Sequence, residues 1–400
     1  MSHDTPSRGF SSRSLFLIWV GAAISVAEIL SGSVLASLGM ASGLVAILLG
    51  HMIGGVLLYL AAIMSSSLRA SAMESTRYSF GIYGSYVFSG FNILQLVGWT
   101  SIMMLQGSRI FDMITETLYG YSNPNLWMIG IALCISIWLR FISRQHAQLN
   151  GLVVVLLLLL SLVMGYRLIR DLSINTMEGA WPTVTFWQGV EVNIAMCLSW
   201  LPLIGDYTQH ARQSRSGPLW SAVGYSVAGS CMFALGLGLS LATGSSDIAL
   251  MLTVSGFGLA SLFIVFFSTV TTTYLDVYSA SDSFMNIWPL NHGKMLSLFF
   301  TFISLLIALL LPMDSIEPFL YLIGAIFSPL YALLFVDYFI LHSPSAQSNR
   351  WNLSNMVLWT LGVVLYFLMQ AFLRDVSNSL LIFIVVGGIS VLIKRRQKHA

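Results

Sequence analysis

Five carboxylates interrupt long apolar runs in this chain: Glu28, Glu191, Asp206, Asp276 and Asp337. A charge at the middle of a membrane-spanning helix costs about 2.5–3.5 kcal/mol on insertion scales, so such an acid faces the protein interior or a water-filled path. Asp206, in GDYTQHAR, and Asp337, in FVDYFI, lie near the ends of their runs, where solvation or an Arg partner is within reach, and they read as structural. Glu28 lies deeper, in GAAISVAEILSGS. A helix with 3.6 residues per turn aligns Gly21, Ser25, Glu28 and Gly32 on one small, polar face, and the Ser-Gly-Ser run at 31–33 weakens helical regularity beside it. Such a face admits either a neighbouring helix, which would satisfy Glu28 in a packed core, or a ligand or proton.

Two more stripes carry chemistry. In FSTVTTTYLDVYSASDSF, residues Thr269, Thr272, Thr273 and Asp276 recur at helical spacing; hydroxyls suit a hard cation, which takes oxygen donors, although Ser and Thr also bond to their own helix or join spans. In FNILQLVGWTSIMMLQG, Asn92, Gln95, Trp99 and Gln106 fall on or near one face. A tryptophan at mid-segment is unusual because the type prefers membrane interfaces. It offers a stacking platform for a flat ligand with amides to read its edge, or else packs on Met103 or Met104. The run VEVNIAMCLSWLPLIGDYTQHAR sets Ser199, Trp200 and Pro202 close together. A proline there can break or kink the helix, and discontinuous helices are where transporters bind substrate.

The elements that must position these residues are transmembrane helices. Of the 400 residues 56% are hydrophobic and only 8% charged, with a mean hydropathy of +0.82, far from an ordinary globular composition. Spans of about 20 residues divide the chain into twelve segments, starting near residues 15, 43, 84, 124, 148, 187, 220, 250, 295, 316, 352 and 377. Loops are short, so no separate soluble domain is expected, and the first segment does not resemble a removable signal. Fourteen of the eighteen Lys and Arg then fall on one side, with Arg109, Arg167, Arg170 and Arg374 on the other; the excess marks the cytoplasmic face and places both termini there. The three cysteines, Cys134, Cys197 and Cys231, all lie inside apolar segments and imply no disulfide framework. Phosphate-loop, serine-hydrolase and zinc-protease signatures are absent, as are basic patches for nucleic acid, which argues against an enzyme.

Several motifs resemble one family. TRYSFGIYGSYVFSGFNILQLVGWT is similar to the loop and third helix of the nucleobase-cation symporters, the cytosine, purine, allantoin and hydantoin permeases. GDYTQHAR resembles the end of their sixth helix and IFSPLYALLFVDYF their tenth. WVGAAISVAEILSGSVLASLG most resembles a bacterial subgroup proposed to import the thiamine precursor 4-amino-5-hydroxymethyl-2-methylpyrimidine. The resemblance implies an all-α polytopic protein: a ten-helix, five-plus-five inverted-repeat core of the amino-acid transporter (LeuT-like) type over 15–342, two further helices over 343–395, and cytoplasmic tails at 1–14 and 396–400. It implies a Na⁺ site made by backbone carbonyls of Gly21 and Ile24 at a break in the first helix, the hydroxyls of Thr271 and Thr272 and the carbonyl of Ser268. It also implies substrate stacking on Trp99, with contacts from helices one, six and eight.

The chain departs from the family where the substrate is read. Gln95 is displaced by one residue from the family glutamine, Cys197 aligns with the helix-six aromatic while Trp200 lies three residues later, and Thr273 stands in place of the helix-eight asparagines. A 4-aminopyrimidine presents an N–H donor beside a ring nitrogen, which suits acceptors better than amides; a carboxyl can accept from the amino group and, when protonated, donate to the ring. Glu28 is the first candidate reader and Asp276 the second, with Gln95, Trp99, Ser199, Trp200 and Thr273 completing the expected substrate site. The expectation is a multi-pass protein of a bacterial cytoplasmic membrane, in contact with lipid and not nucleic acid. It takes up a pyrimidine with Na⁺ or H⁺ by alternating access and needs no cofactor. Alternatives are a cytosine, purine or allantoin permease of the same architecture and, from another class, a membrane sensor or channel.

Overall fold

The computed structural model describes residues 9–141, 147–171, 181, 183–247, 250–251, 258–290, 293–310, 316–343, 350–373 and 375–399, and every regular element among them is helical. The helices are α1 (Ser12–Ala23), α2 (Val26–Ser33), α3 (Gly39–Leu68), the single turn α4 (Ala72–Ser75), α5 (Arg77–Tyr119), α6 (Pro124–Phe141), α7 (Ala147–Asp171), α8 (Phe186–Thr208), α9 (Ser216–Thr243), α10 (Gly258–Ile287), α11 (Gly293–Leu310), α12 (Glu317–Phe335), α13 (Leu353–Phe372) and α14 (Asn378–His399). Among the described residues seven helical stretches are long and apolar enough to cross a membrane, with shorter apolar helices beside them. Helix α8 is not among the seven, because Glu191, Asn193, Ser199 and Asp206 lower its average hydropathy. The expected start of the eighth segment near 250 runs into 252–257, outside the described residues. Residues 1–8 and 400 of the expected tails and 344–349 at the start of the last two helices also lie outside them.

The third segment, expected from residue 84, starts earlier: α5 opens at Arg77 and turns at Gly81, whose φ of 78° and ψ of 179° are not helical. A left-handed φ at this position is open to glycine at little steric cost.

The first segment is not one continuous helical face: it is broken between α1 and α2, at the residues where the resemblance implies a break. Ile24 has φ −82°, ψ 83°, and Ser25 has φ −138°, ψ 157°. The Ser25 hydroxyl caps α2 by accepting the Glu28 amide at 3.2 Å, as serine does at helix N-termini, while the Ser25 amide turns to the Ala23 carbonyl at 3.0 Å. The irregularity thus sits at 24–25, whereas Ser31–Ser33 stay helical and lead into a 3₁₀ turn over Val34–Leu38.

Breaking the helix sends the four stripe residues different ways. A Cβ on Gly21 would meet Val154 of α7 at 2.5 Å, and one on Gly32 would lie 2.1 Å from the Phe233 carbonyl of α9. Reciprocally, a Cβ on Gly236 of α9 would lie 1.9 Å from the Ile29 carbonyl. Gly50 and Gly54 of α3 similarly take Asn193 and Cys197 of α8, each within 2.4 Å of the missing Cβ. Small residues let backbones meet where lipid supplies no hydrophobic drive for association.

These contacts gather the helices into two groups. In one, α3 packs on α8 and α9, and α9 on α1 and α2; in the other, α5 packs on α6, α10 and α11. Contacts between the groups are sparser, and α12 links α8 to α13 and α14.

Candidate functional site

A cavity opens on the seam between the two groups, at the break. Its walls are Ser25, Ala27 and Glu28 from the break and α2, Trp99 and Met103 from α5, Met196, Ser199 and Trp200 from α8, and Thr272 and Asp276 from α10. Of the expected substrate residues the fold therefore brings Glu28, Trp99, Ser199, Trp200 and Asp276 together, although they are spread over some 250 residues of chain. The volume open to the centre of a water molecule is about 10 Å³, room for about one water, so the walls must part before a flat ring enters.

The polar groups at this cavity are incompletely engaged. Glu28 Oε1 accepts the Tyr225 hydroxyl at 2.5 Å, while Oε2 is buried without a partner. Asp276 is 3% exposed, and the lining contains no Lys, Arg or His. The indole Nε1 atoms of Trp99 and Trp200 and the Thr272 hydroxyl are likewise buried and unpartnered. Buried polar groups are normally hydrogen-bonded, and here four unpartnered polar atoms surround one small space. Trp99 stands edge-on to Phe319 at 5.2 Å, and Trp200 edge-on to Trp19 at 5.6 Å. Both rings are thus braced from behind.

Gln95 and Thr273 do not reach the cavity. The Gln95 side-chain amide donates to Asn92 Oδ1 at 2.8 Å and to the Ser199 carbonyl at 2.9 Å, and Asn92 donates to the Pro202 carbonyl at 3.2 Å and Ser283 Oγ at 2.8 Å. These amides join α5 to α8 and α10 beside Pro202, through which α8 continues to Thr208. Thr273 bonds back to the Thr269 carbonyl at 2.5 Å, a common fate for threonine in a helix.

The expected cation donors are divided. At the break the amides that would bond the Gly21 and Ile24 carbonyls in a continuous helix turn elsewhere, to Ala23 and to the Ser25 hydroxyl, so both carbonyls are released. Gly21 and Thr271 line a second cavity of about 40 Å³ behind the break. The Thr271 hydroxyl donates to the carbonyls of Phe267 at 2.7 Å and Ser268 at 3.2 Å, and its oxygen keeps acceptor capacity. Thr272 faces the first cavity instead. Among the described residues no three His, Cys, Asp or Glu side chains gather around a metal-sized space, so carbonyl and hydroxyl oxygens would hold a cation here. That donor set fits a hard ion.

The remaining acids have structural partners. Asp206 Oδ1 accepts the Ala72 amide at 2.9 Å; Asp337 accepts Asn355 at 2.9 Å and Lys394 at 2.5 Å. Tyr225 and Met196 escaped the sequence reading: a tyrosine or methionine inside an apolar run carries no signal until the helices are packed.

Residues 6–355 match the family model for permeases of cytosine/purines, uracil, thiamine and allantoin. No curated protein matches the chain. Among solved structures, it is similar to Mhp1, a nucleobase-cation-symport-1 family transporter, in a closed conformation with bromovinylhydantoin bound. The identity is 18% and the TM-score 0.76, over 99% of this chain and 97% of that one. The inward-facing conformation of Mhp1 matches with TM-score 0.78 at 18% identity, over 100% and 95%. A Na⁺-coupled sialic acid symporter in a substrate-bound, outward-open state matches at 0.70 and 15%, over 96% and 88%. The matched family is one of transporters and not of enzymes, and with seven membrane-length helical stretches among the described residues the chain is a multi-pass membrane protein. It belongs to the cytosine/purine, uracil, thiamine and allantoin permease family, the nucleobase-cation symporters.

Proposed function

We propose that this chain imports a small flat aminopyrimidine, 4-amino-5-hydroxymethyl-2-methylpyrimidine, by cation symport. The observation that carries the reading is a cavity with two carboxyls, Glu28 and Asp276, between two braced indoles and without a cationic side chain in its lining. Indole faces stack on a planar ring irrespective of its edge; the carboxyls then decide which edge is accepted. Glu28 Oε2 accepts the exocyclic amino group, or donates to the ring nitrogen when it carries a proton. Asp276 and Ser199 serve the remaining donors, the hydroxymethyl group among them. A ligand that turns carbonyl oxygens toward both acids leaves acceptors facing acceptors, which is costly in a buried site.

The architecture in this reading has twelve spans, with helices one to ten as a five-plus-five inverted repeat, two added helices, and both termini on the cytoplasmic side of a bacterial inner membrane. Na⁺ binds the released Gly21 and Ile24 carbonyls with the Thr271 and Thr272 hydroxyls and the Ser268 carbonyl. It bridges the two helix groups, and their rocking moves the cavity from one side to the other. A second reading has H⁺ as the coupling ion, favoured by two carboxyls that share one cavity without a counter-charge in its lining.

Binding of the pyrimidine to purified wild-type protein and to Glu28→Gln tests the substrate reading. Hydrogen bonds to charged groups contribute about 1.5–3 kcal/mol, so Gln is expected to weaken binding about tenfold or more. Unchanged affinity would end Glu28's role as the reader.

A further inference from the structure

We propose that Tyr225 is a positioning residue for ligand selectivity: its phenol holds Glu28 Oε1 and leaves Oε2 as the one carboxyl oxygen that meets the ligand. This rests on the reading of Glu28 as the group that recognises the ligand.

Tyr225 belongs to α9, is fully buried and does not line the cavity. Its ring is fixed against Trp19 at 6.2 Å and Trp200 at 5.7 Å between centroids, and Trp200 is itself a cavity wall. The close approach of α2 and α9 at Gly32 and Gly236 brings the phenol to the carboxyl from behind. Glu28 is held from its other end by the Ser25 cap on its amide. The carboxyl is therefore pinned at both ends of the side chain, and its plane cannot turn without losing the 2.5 Å bond to Tyr225.

The consequence is chemical. With Oε1 accepting the phenol proton, a carboxyl proton, when present, resides on Oε2; when it is absent, Oε2 is an acceptor with no protein partner. One atom in one place then meets the ligand edge. When that carboxyl is charged, Oε2 held in one plane accepts from an amino group and repels a carbonyl oxygen, so the amino edge is selected. Without the phenol the carboxyl can rotate and present either a donor or an acceptor, so both edges are tolerated.

The test compares 4-amino-5-hydroxymethyl-2-methylpyrimidine with its 4-oxo counterpart in binding to the full-length protein. Four forms are used: wild type, Tyr225→Phe, Glu28→Gln and the double variant. Tyr225→Phe keeps the ring packing and loses one hydroxyl. It is expected to weaken the amino ligand about tenfold and the oxo ligand less, shrinking the ratio. Added to Glu28→Gln, it is expected to change nothing further, since two groups acting as one are non-additive. An unchanged amino-to-oxo ratio, or the same loss on top of Glu28→Gln, overturns the proposal and leaves Tyr225 as packing. A Glu28→Gln protein that binds both ligands as wild type does would overturn the underlying reading instead. If Tyr225→Phe is recovered poorly, Glu28→Asp gives the same readout: the shorter arm cannot reach Tyr225 and the ligand together, so the ratio must shrink there too.

Discussion

Glu191 makes a quantitative case for what holds the last two helices. Its carboxylate, in the second turn of α8, accepts Tyr366 of α13 at 2.7 Å and the hydroxyls of Ser377 and Ser379 at 2.6 Å each. It also accepts the Ser379 amide at 3.2 and 3.0 Å to its two oxygens. It sits at the N-terminus of α14, where amides are unsatisfied and the helix dipole favours negative charge. Replacing Glu191 with Ala leaves four buried donors without this acceptor. The serine hydroxyls can turn to nearby carbonyls, but the Tyr366 hydroxyl and the Ser379 amide have less freedom, so about 3–5 kcal/mol of stability is lost. Gln keeps the volume and one acceptor, and about half that loss is expected. At about 2–4 °C per kcal/mol for a domain of this order of size, Glu191→Ala should melt roughly 6–20 °C lower in detergent, with Gln between it and wild type. Ligand affinity should change little, because Ser199 lies eight residues, roughly 12 Å, further along α8. A Glu191→Ala protein as stable as wild type, or a Gln variant less stable than Ala, would show that Glu191 does not hold α13 and α14 in place.

Gly236→Ala puts a Cβ 1.9 Å from the Ile29 carbonyl, where ordinary contact begins at 3.4 Å, so α2 and α9 must separate; a loss of about 1–3 kcal/mol should appear in thermal unfolding, together with weaker ligand binding as Glu28 leaves Tyr225. Thr272→Ala removes a hydroxyl with no protein partner, so stability should hold while Na⁺ and ligand each lose affinity in proportion, by reciprocity; titrating each in the presence of the other checks this. Trp99→Ala should weaken the pyrimidine by about 1–3 kcal/mol, the typical contribution of stacking on an aromatic side chain, and Trp99→Phe by less, measured by the same binding assay.

What the sequence exposed were residues out of place in an apolar run. Glu28, Asp276, Trp99, Ser199 and Trp200 stand out because burial in a membrane span is costly or unusual for them, and the fold brings all five to one cavity. Orientation within a helix was less legible. Gln95 and Thr273 have the same polar types and similar spacing, yet one bonds the α8 backbone and the other its own helix. The break at Ile24–Ser25 lies where the resemblance implies one, but composition alone pointed to Ser31–Ser33, because Ser25 acts through a cap that shows only in φ, ψ and the Glu28 amide. Partners far along the chain had no local signature. Tyr225 lies 197 residues from Glu28, and Ser379 lies 188 from Glu191; only packing of α9 and α14 reveals them.

Binding of 4-amino-5-hydroxymethyl-2-methylpyrimidine to the purified protein with and without Na⁺, with cytosine and thiamine as competitors, decides whether the chain is a sodium-coupled aminopyrimidine carrier. Tight binding that Na⁺ strengthens and cytosine does not displace is expected. Absence of binding, or ready displacement by cytosine, would contradict the aminopyrimidine assignment, and affinity indifferent to Na⁺ would contradict sodium coupling.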